Sequence, residues 1–282
     1  MRMPAFPRPT SPGVAVSGTA GRRLGAAAAA SAALLAGSLA LAPGAQAAGG
    51  GYVALGDSYS SGVGSGSYIS SSGSCERSTL AYPYLWSQAH SPSSFSFEAC
   101  SGATTSDVLS SQLGTLSSST SEVSITIGGN DAGFASTMET CVLEGTSSCL
   151  SAVSSDENFV NTQLAPKLDA VYSAIKSKAP NAHVVVLDYP HLYEVPGSCL
   201  FGIGDTSRTA INGAADDLDS VTAKEAAKYG FTFADVRSAF EGHEICSNDS
   251  WLHSTTLPID ESYHPTSAGQ ADGFLPVFSK DA

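Results

Sequence analysis

Five short apolar runs, at residues 52–55, 95–99, 123–127, 183–187 and 231–235, alternate along this chain with helical patterns. The clearest of those patterns are 157–178, closed by Ala179-Pro180, and 208–229, closed by Gly230. Strands separated by helices call for crossover connections, and such connections build a parallel sheet covered on both faces. The expected fold class is therefore α/β, with a central parallel sheet of about five strands. The Ser/Gly-rich stretches 62–74 and 110–121 read as loops.

The first part of the chain reads as a leader. Arg22-Arg23 precede an Ala/Leu-rich stretch over 24–42, followed by Pro43 and the small-residue pattern Ala45-Gln46-Ala47. This is the signature of a secretory signal peptide over residues 1–47, cleaved after Ala47, which leaves no membrane anchor. Residues 48–282 suit one domain with a full core.

Cleavage removes four arginines and no acids, leaving nine basic against 26 acidic side chains, a formal charge of −17. Such a surface repels nucleic acid and anionic lipid headgroups and keeps an exported protein soluble. All six cysteines follow the cleavage site, an even number that reads as three disulfides in an exported chain. Six cysteines allow fifteen pairings, and their spacing does not choose among them. With no Cys-x-x-Cys pair and no His-x-x-x-His cluster, neither a metal nor another cofactor is expected.

The first apolar run ends at Gly56-Asp57-Ser58-Tyr59-Ser60-Ser61-Gly62. A side chain there stands at the carboxyl edge of the sheet, where open α/β folds hold ligands, so Ser58 is the candidate nucleophile. A plain Ser/Gly turn competes with that reading in a serine-rich chain. Three further blocks weigh against it: Cys100-Ser101-Gly102-Ala103-Thr104, Gly128-Gly129-Asn130-Asp131 and Tyr263-His264-Pro265-Thr266. Ester cleavage needs an activated hydroxyl, a proton shuttle and donors for the oxyanion, and these blocks supply each type. His90, His183, His191, His243 and His253 read as structural, with His243 the best rival to His264. Asp57 reads as a turn-former.

In the order Ser, Gly, Asn, His, the four blocks resemble the SGNH hydrolase superfamily, the GDSL-type esterases and lipases. The match is best to a secreted actinobacterial branch and runs from about residue 52 to residue 278. The resemblance implies a three-layer α/β/α, flavodoxin-like fold and a serine carboxylic-ester hydrolase working through an acyl-enzyme on Ser58, with His264 as base and then acid. It implies an oxyanion hole from the N–H groups of Ser58 and Gly102 and the side-chain amide of Asn130. It also implies sequential disulfides, Cys75–Cys100, Cys141–Cys149 and Cys199–Cys246.

Two departures stand out. Tyr59 replaces the family's leucine after Gly-Asp-Ser, a change common in this branch. Glu261 occupies the place, three before the histidine, where most members carry Asp. Either the Glu261 carboxylate or a main-chain carbonyl of Glu261 or Ser262 then orients the imidazole, and both alternatives stay open. The expected substrate is a lipid or small acyl ester, with lipase or esterase activity ahead of phospholipase A and carbohydrate acetylesterase. The expected protein is a monomer. A non-catalytic secreted binding module that kept the fold is the reading from another class.

Overall fold

In the computed structural model, residues 50–200 and 202–282 are described; the leader expected over residues 1–47 lies outside them. Strands β1 (Gly51–Gly56), β2 (Phe95–Phe97), β3 (Thr120–Thr126), β4 (His183–Leu187) and β5 (Thr232–Ala234) form one sheet in the order β2-β1-β3-β4-β5. Every neighbouring pair is parallel. Alternate side chains explain the layers. Tyr52, Ala54, Val185, Leu187 and Ala234 face one core, with Tyr82, Phe274 and Phe278 packed in it. Val53, Leu55, Val123, Ile125, Val184 and Val186 face the other, beneath Leu168, Val171, Tyr172 and Ile175 of the helix Ala165–Lys178. The chain is thus the three-layer α/β/α sandwich expected, with both faces of the sheet buried.

The expected helix over 157–178 starts earlier and is interrupted. Helix Thr146–Phe159 runs into a wide turn at Val160–Leu164 and then into Ala165–Lys178. Pro166 lacks the N–H that a regular helix would use, and the chain widens just before it. The second expected helix runs Asp205–Lys228. The 110–121 stretch is not a plain loop. Its first part belongs to helical turns through Val108–Gln112 and Leu113–Thr115 that bury Gln112 and Leu113, and β3 begins at Thr120. Gln112 is buried because it completes β1: the Gly56 N–H donates to its Oε1 and its Nε2 donates to the Gly56 carbonyl, both at 2.8 Å.

The six cysteines pair as Cys75–Cys100, Cys141–Cys149 and Cys199–Cys246. β1 lies between β2 and β3, so the chain reverses its direction of travel across the sheet there. That switch point opens a crevice at the carboxyl ends of β1 and β3.

Candidate active site

Both sides of that crevice carry candidate residues. After β1, Asp57 caps the short helix Ser58–Ser61, accepting from the Tyr59 N–H at 3.0 Å. The cap orients Ser58, a residue only 7% exposed. After β3, Asn130 lies in a single helical turn, Gly129–Ala132, and its Nδ2 donates to the Ala103 carbonyl at 3.0 Å. One amide proton is thereby spent on orientation, and the second remains to face the crevice. Gly102 sits at φ +74° with nothing near the place a Cβ would take. Its glycine is needed for the left-handed backbone rather than for close packing. The Cys75–Cys100 disulfide and the Ser101 N–H bond to the Cys75 carbonyl hold this turn from outside.

His264 arrives from the far end of the chain, on the loop after the turn Ile259–Glu261. Its Nε2 lies 2.7 Å from Ser58 Oγ, and its Nδ1 lies 3.0 Å from the Ser262 carbonyl. A carbonyl only accepts, so Nδ1 carries the proton and Nε2 is the acceptor for the serine hydroxyl. Gly64 lets the loops meet: a Cβ there, at φ +87°, would stand 2.8 Å from the Pro265 carbonyl and 3.0 Å from His264 Cβ. Burial pushes the imidazole down to about 4, outweighing the Ser262 carbonyl, which favours the charged form.

Of the two acceptors left open for Nδ1, the geometry presents the carbonyl of Ser262. The Glu261 carboxylate instead accepts from the Tyr68 hydroxyl at 2.7 Å. Its longer arm swings to a partner on the Gly62–Cys75 side, while the main chain closes on the histidine within two residues. His243 stacks on Trp251 and bonds to the Asp249 carbonyl, apart from Ser58.

Two residues of this constellation, Tyr189 and Gln270, lie outside the motif blocks. The Tyr189 hydroxyl donates to the Asp57 carboxyl and accepts from the Gly129 N–H at 3.1 Å, tying the ends of β1, β3 and β4 together. Burial pushes Asp57 up to about 7, against the Tyr189 and Tyr59 hydrogen bonds. The Tyr59 hydroxyl donates to the Tyr263 carbonyl at 2.7 Å, and Gln270 Nε2 donates to the Tyr59 carbonyl at 3.0 Å. An aromatic residue directly after β4, in Asp188-Tyr189-Pro190, is the one feature a reader could have flagged.

A cavity of about 690 Å³ opens beside Ser58 and His264, walled by Phe134, Met138, Leu143, Val153, Ile211 and Leu218. The Cys141–Cys149 disulfide joins helices Phe134–Leu143 and Thr146–Phe159, which supply much of that wall. Leu143 and Ile259 at its mouth are 73% and 64% exposed. Neutral hydrolytic chemistry on an apolar acyl group is what such an arrangement can perform: a hydroxyl, a neutral imidazole, an aimed amide and a dry wall.

Comparison with known proteins agrees. Residues 54–271 match the model of the GDSL-like lipase/acylhydrolase family. "Lipase 1" of Streptomyces coelicolor is 63% identical over 224 residues, 79% of this chain and 83% of that protein. The crystal structure of an extracellular lipase from Streptomyces rimosus superposes with a TM-score of 0.81 at 57% identity, covering 83% of this chain and all of the other. A phospholipase A1 from Streptomyces albidoflavus gives 0.82 at 58% identity with the same coverage.

Proposed function

The chain belongs to the GDSL-like lipase/acylhydrolase family and is a carboxylic-ester hydrolase; on that premise we propose that Ser58 and His264 form its catalytic pair. The single observation carrying this is the 2.7 Å contact between Ser58 Oγ and His264 Nε2 at the mouth of an apolar cavity. His264 takes the hydroxyl proton as Oγ attacks the ester carbon. The oxyanion is met by the N–H groups of Ser58 and Gly102 and by Asn130 Nδ2, all neutral donors that gain most as charge develops. The protonated imidazole, steadied by the Ser262 carbonyl, returns the proton to the leaving alcohol. Water then repeats the sequence on the acyl-enzyme.

The substrate proposed is a lipid ester whose acyl chain lies along Phe134, Met138, Val153 and Ile211. Apolar walls reward each desolvated methylene, which favours medium and long chains over acetyl groups. Phospholipase A1 action is the second reading, favoured by the 58% identity to the Streptomyces albidoflavus enzyme. The three disulfides and the extracellular Streptomyces rimosus relative support secretion, with release by cleavage of residues 1–47. Among the described residues, no helix is long and apolar enough to cross a membrane.

The test is a series of p-nitrophenyl esters from acetyl to palmitoyl, run beside phosphatidylcholine. A kcat/KM that climbs with chain length is expected, and a maximum at acetyl overturns the lipid reading. Release of fatty acid from phosphatidylcholine at a rate comparable to the best ester selects the phospholipase.

A further inference from the structure

The two departures noted in the sequence bear on one turn. The turn Ser262–His264 replaces a carboxylate as the support of the imidazole, and Tyr59 reaches into that turn. We propose that Tyr59 is a positioning residue for His264, its hydroxyl holding the Tyr263 carbonyl and so the backbone turn that orients the base. The inference rests on the reading of His264 as the base.

Tyr263 is the hinge of the turn. Its φ governs the peptide that carries the Ser262 carbonyl, and its ψ governs the peptide that leads into His264. Any relaxation at Tyr263 therefore moves the acceptor of Nδ1 relative to the ring it supports. Tyr263 stands at φ +65°, a left-handed conformation that a bulky side chain occupies only when its surroundings impose it. Four contacts impose it here. The Tyr263 N–H donates to the His253 carbonyl and the His253 N–H to the His264 carbonyl, both at 3.0 Å. The Tyr263 hydroxyl lies 2.8 Å from Thr255 Oγ1, and the Tyr263 carbonyl accepts from Tyr59 at 2.7 Å. Of these, only the last comes from the segment that also carries the nucleophile.

Tyr59 is built to serve as a fixed strut. It is 4% exposed, its N–H is bonded to Asp57, and its carbonyl accepts from Gln270. Its ring packs against Tyr189 at 5.0 Å and against the His264 ring at 5.4 Å, centroid to centroid. Burial raises its pKa far above the phenol's ordinary value, so the hydroxyl stays a donor wherever the enzyme works. Because residue 59 follows Ser58 directly, one rigid segment sets both the attacking oxygen and the turn that aims its base. The leucine of the family motif could fill the same space but has no group to offer the carbonyl.

The test is Tyr59→Phe, which keeps the ring and removes the donor. Expected is a fall in kcat of about 10-fold to 100-fold with KM within about two-fold, the effect of a base displaced by a fraction of an ångström. Tyr52→Phe is the control. Its hydroxyl is equally buried and bonded to Ser124 Oγ at 2.7 Å on β1, so its loss should cost stability and leave kcat unchanged. A Tyr59→Phe enzyme with wild-type kcat, or one that loses no more than Tyr52→Phe, overturns the proposal. Proton NMR gives a second reading: the His264 Nδ1 proton should exchange faster in Tyr59→Phe than in wild type, and an unchanged exchange rate also overturns the proposal. His264→Ala separates the two claims. If it stays active, the base assignment falls; if it is inactive while Tyr59→Phe keeps wild-type kcat, only the strut falls.

Discussion

The Glu261 carboxylate accepts from the Tyr68 hydroxyl at 2.7 Å, and the same hydroxyl accepts from the Gly64 N–H at 2.9 Å. An acid at the family's usual orienting position is thus committed to the loop after the nucleophile. Glu261→Gln and Glu261→Ala should both keep kcat within about ten-fold of wild type, since neither removes the Ser262 carbonyl. A joint loss of about 10²-fold or more, with folding verified by circular dichroism, restores the carboxylate as the histidine's partner.

Asn130 donates to the Ala103 carbonyl with one amide proton, which fixes the direction of the other. Asn130→Ala should lower kcat by about 10²-fold to 10³-fold with KM little changed, the mark of a donor used mainly in the transition state. Asn130→Asp should be no better, because a carboxylate repels the oxyanion. Ser58→Ala should lose several orders of magnitude, and retention of a tenth of the activity removes Ser58 as nucleophile. Steady-state kinetics on one short ester decide all three.

These groups were legible because each stands at a strand end or in a short block of small residues, where local sequence announces a loop at the sheet edge. The supporting contacts were not. Tyr68 and Glu261 lie 193 residues apart, Tyr189 and Asp57 lie 132 apart, and Gln112 reaches 56 residues back to Gly56. Such pairs exist only once the crossovers have brought strand ends together, and no periodicity encodes them. The strands were readable as short continuous apolar runs, such as Val184-Val185-Val186-Leu187, because both faces of the sheet are buried. The wide turn at Val160–Leu164 was not, because its cause, Pro166, is a residue equally at home in an ordinary helix start.

With His264 as the proposed base, its depressed pKa should set the acid limit of turnover. The base works only when neutral, and burial moves its titration down to about 4 from an ordinary value of about 6.5. The kcat/KM profile should therefore hold through mildly acidic pH and fall with an inflection well below 6. An acid limb centred near 6.5 on a non-ionising ester would mean that the imidazole is solvated in the working enzyme.

Stability should move with pH at a second place, away from the site. Glu122 on β3 is 8% exposed; its Oε1 is buried without a hydrogen-bond partner, and its Oε2 lies 3.4 Å from His183 Nδ1. Burial pushes this carboxyl up to about 8, whereas the unfolded chain titrates it near the ordinary value of about 4.3. Between those values the folded protein holds a proton that the unfolded chain releases. Its contribution is thus complete below pH of about 4.3 and is lost as pH rises toward about 8. Glu122→Gln removes the titration while keeping the shape, so its thermal midpoint relative to wild type should climb from pH 5 to pH 8.5. Paired melts across that range read the difference directly, and two curves that stay parallel would place Glu122 in water, ionised in both states.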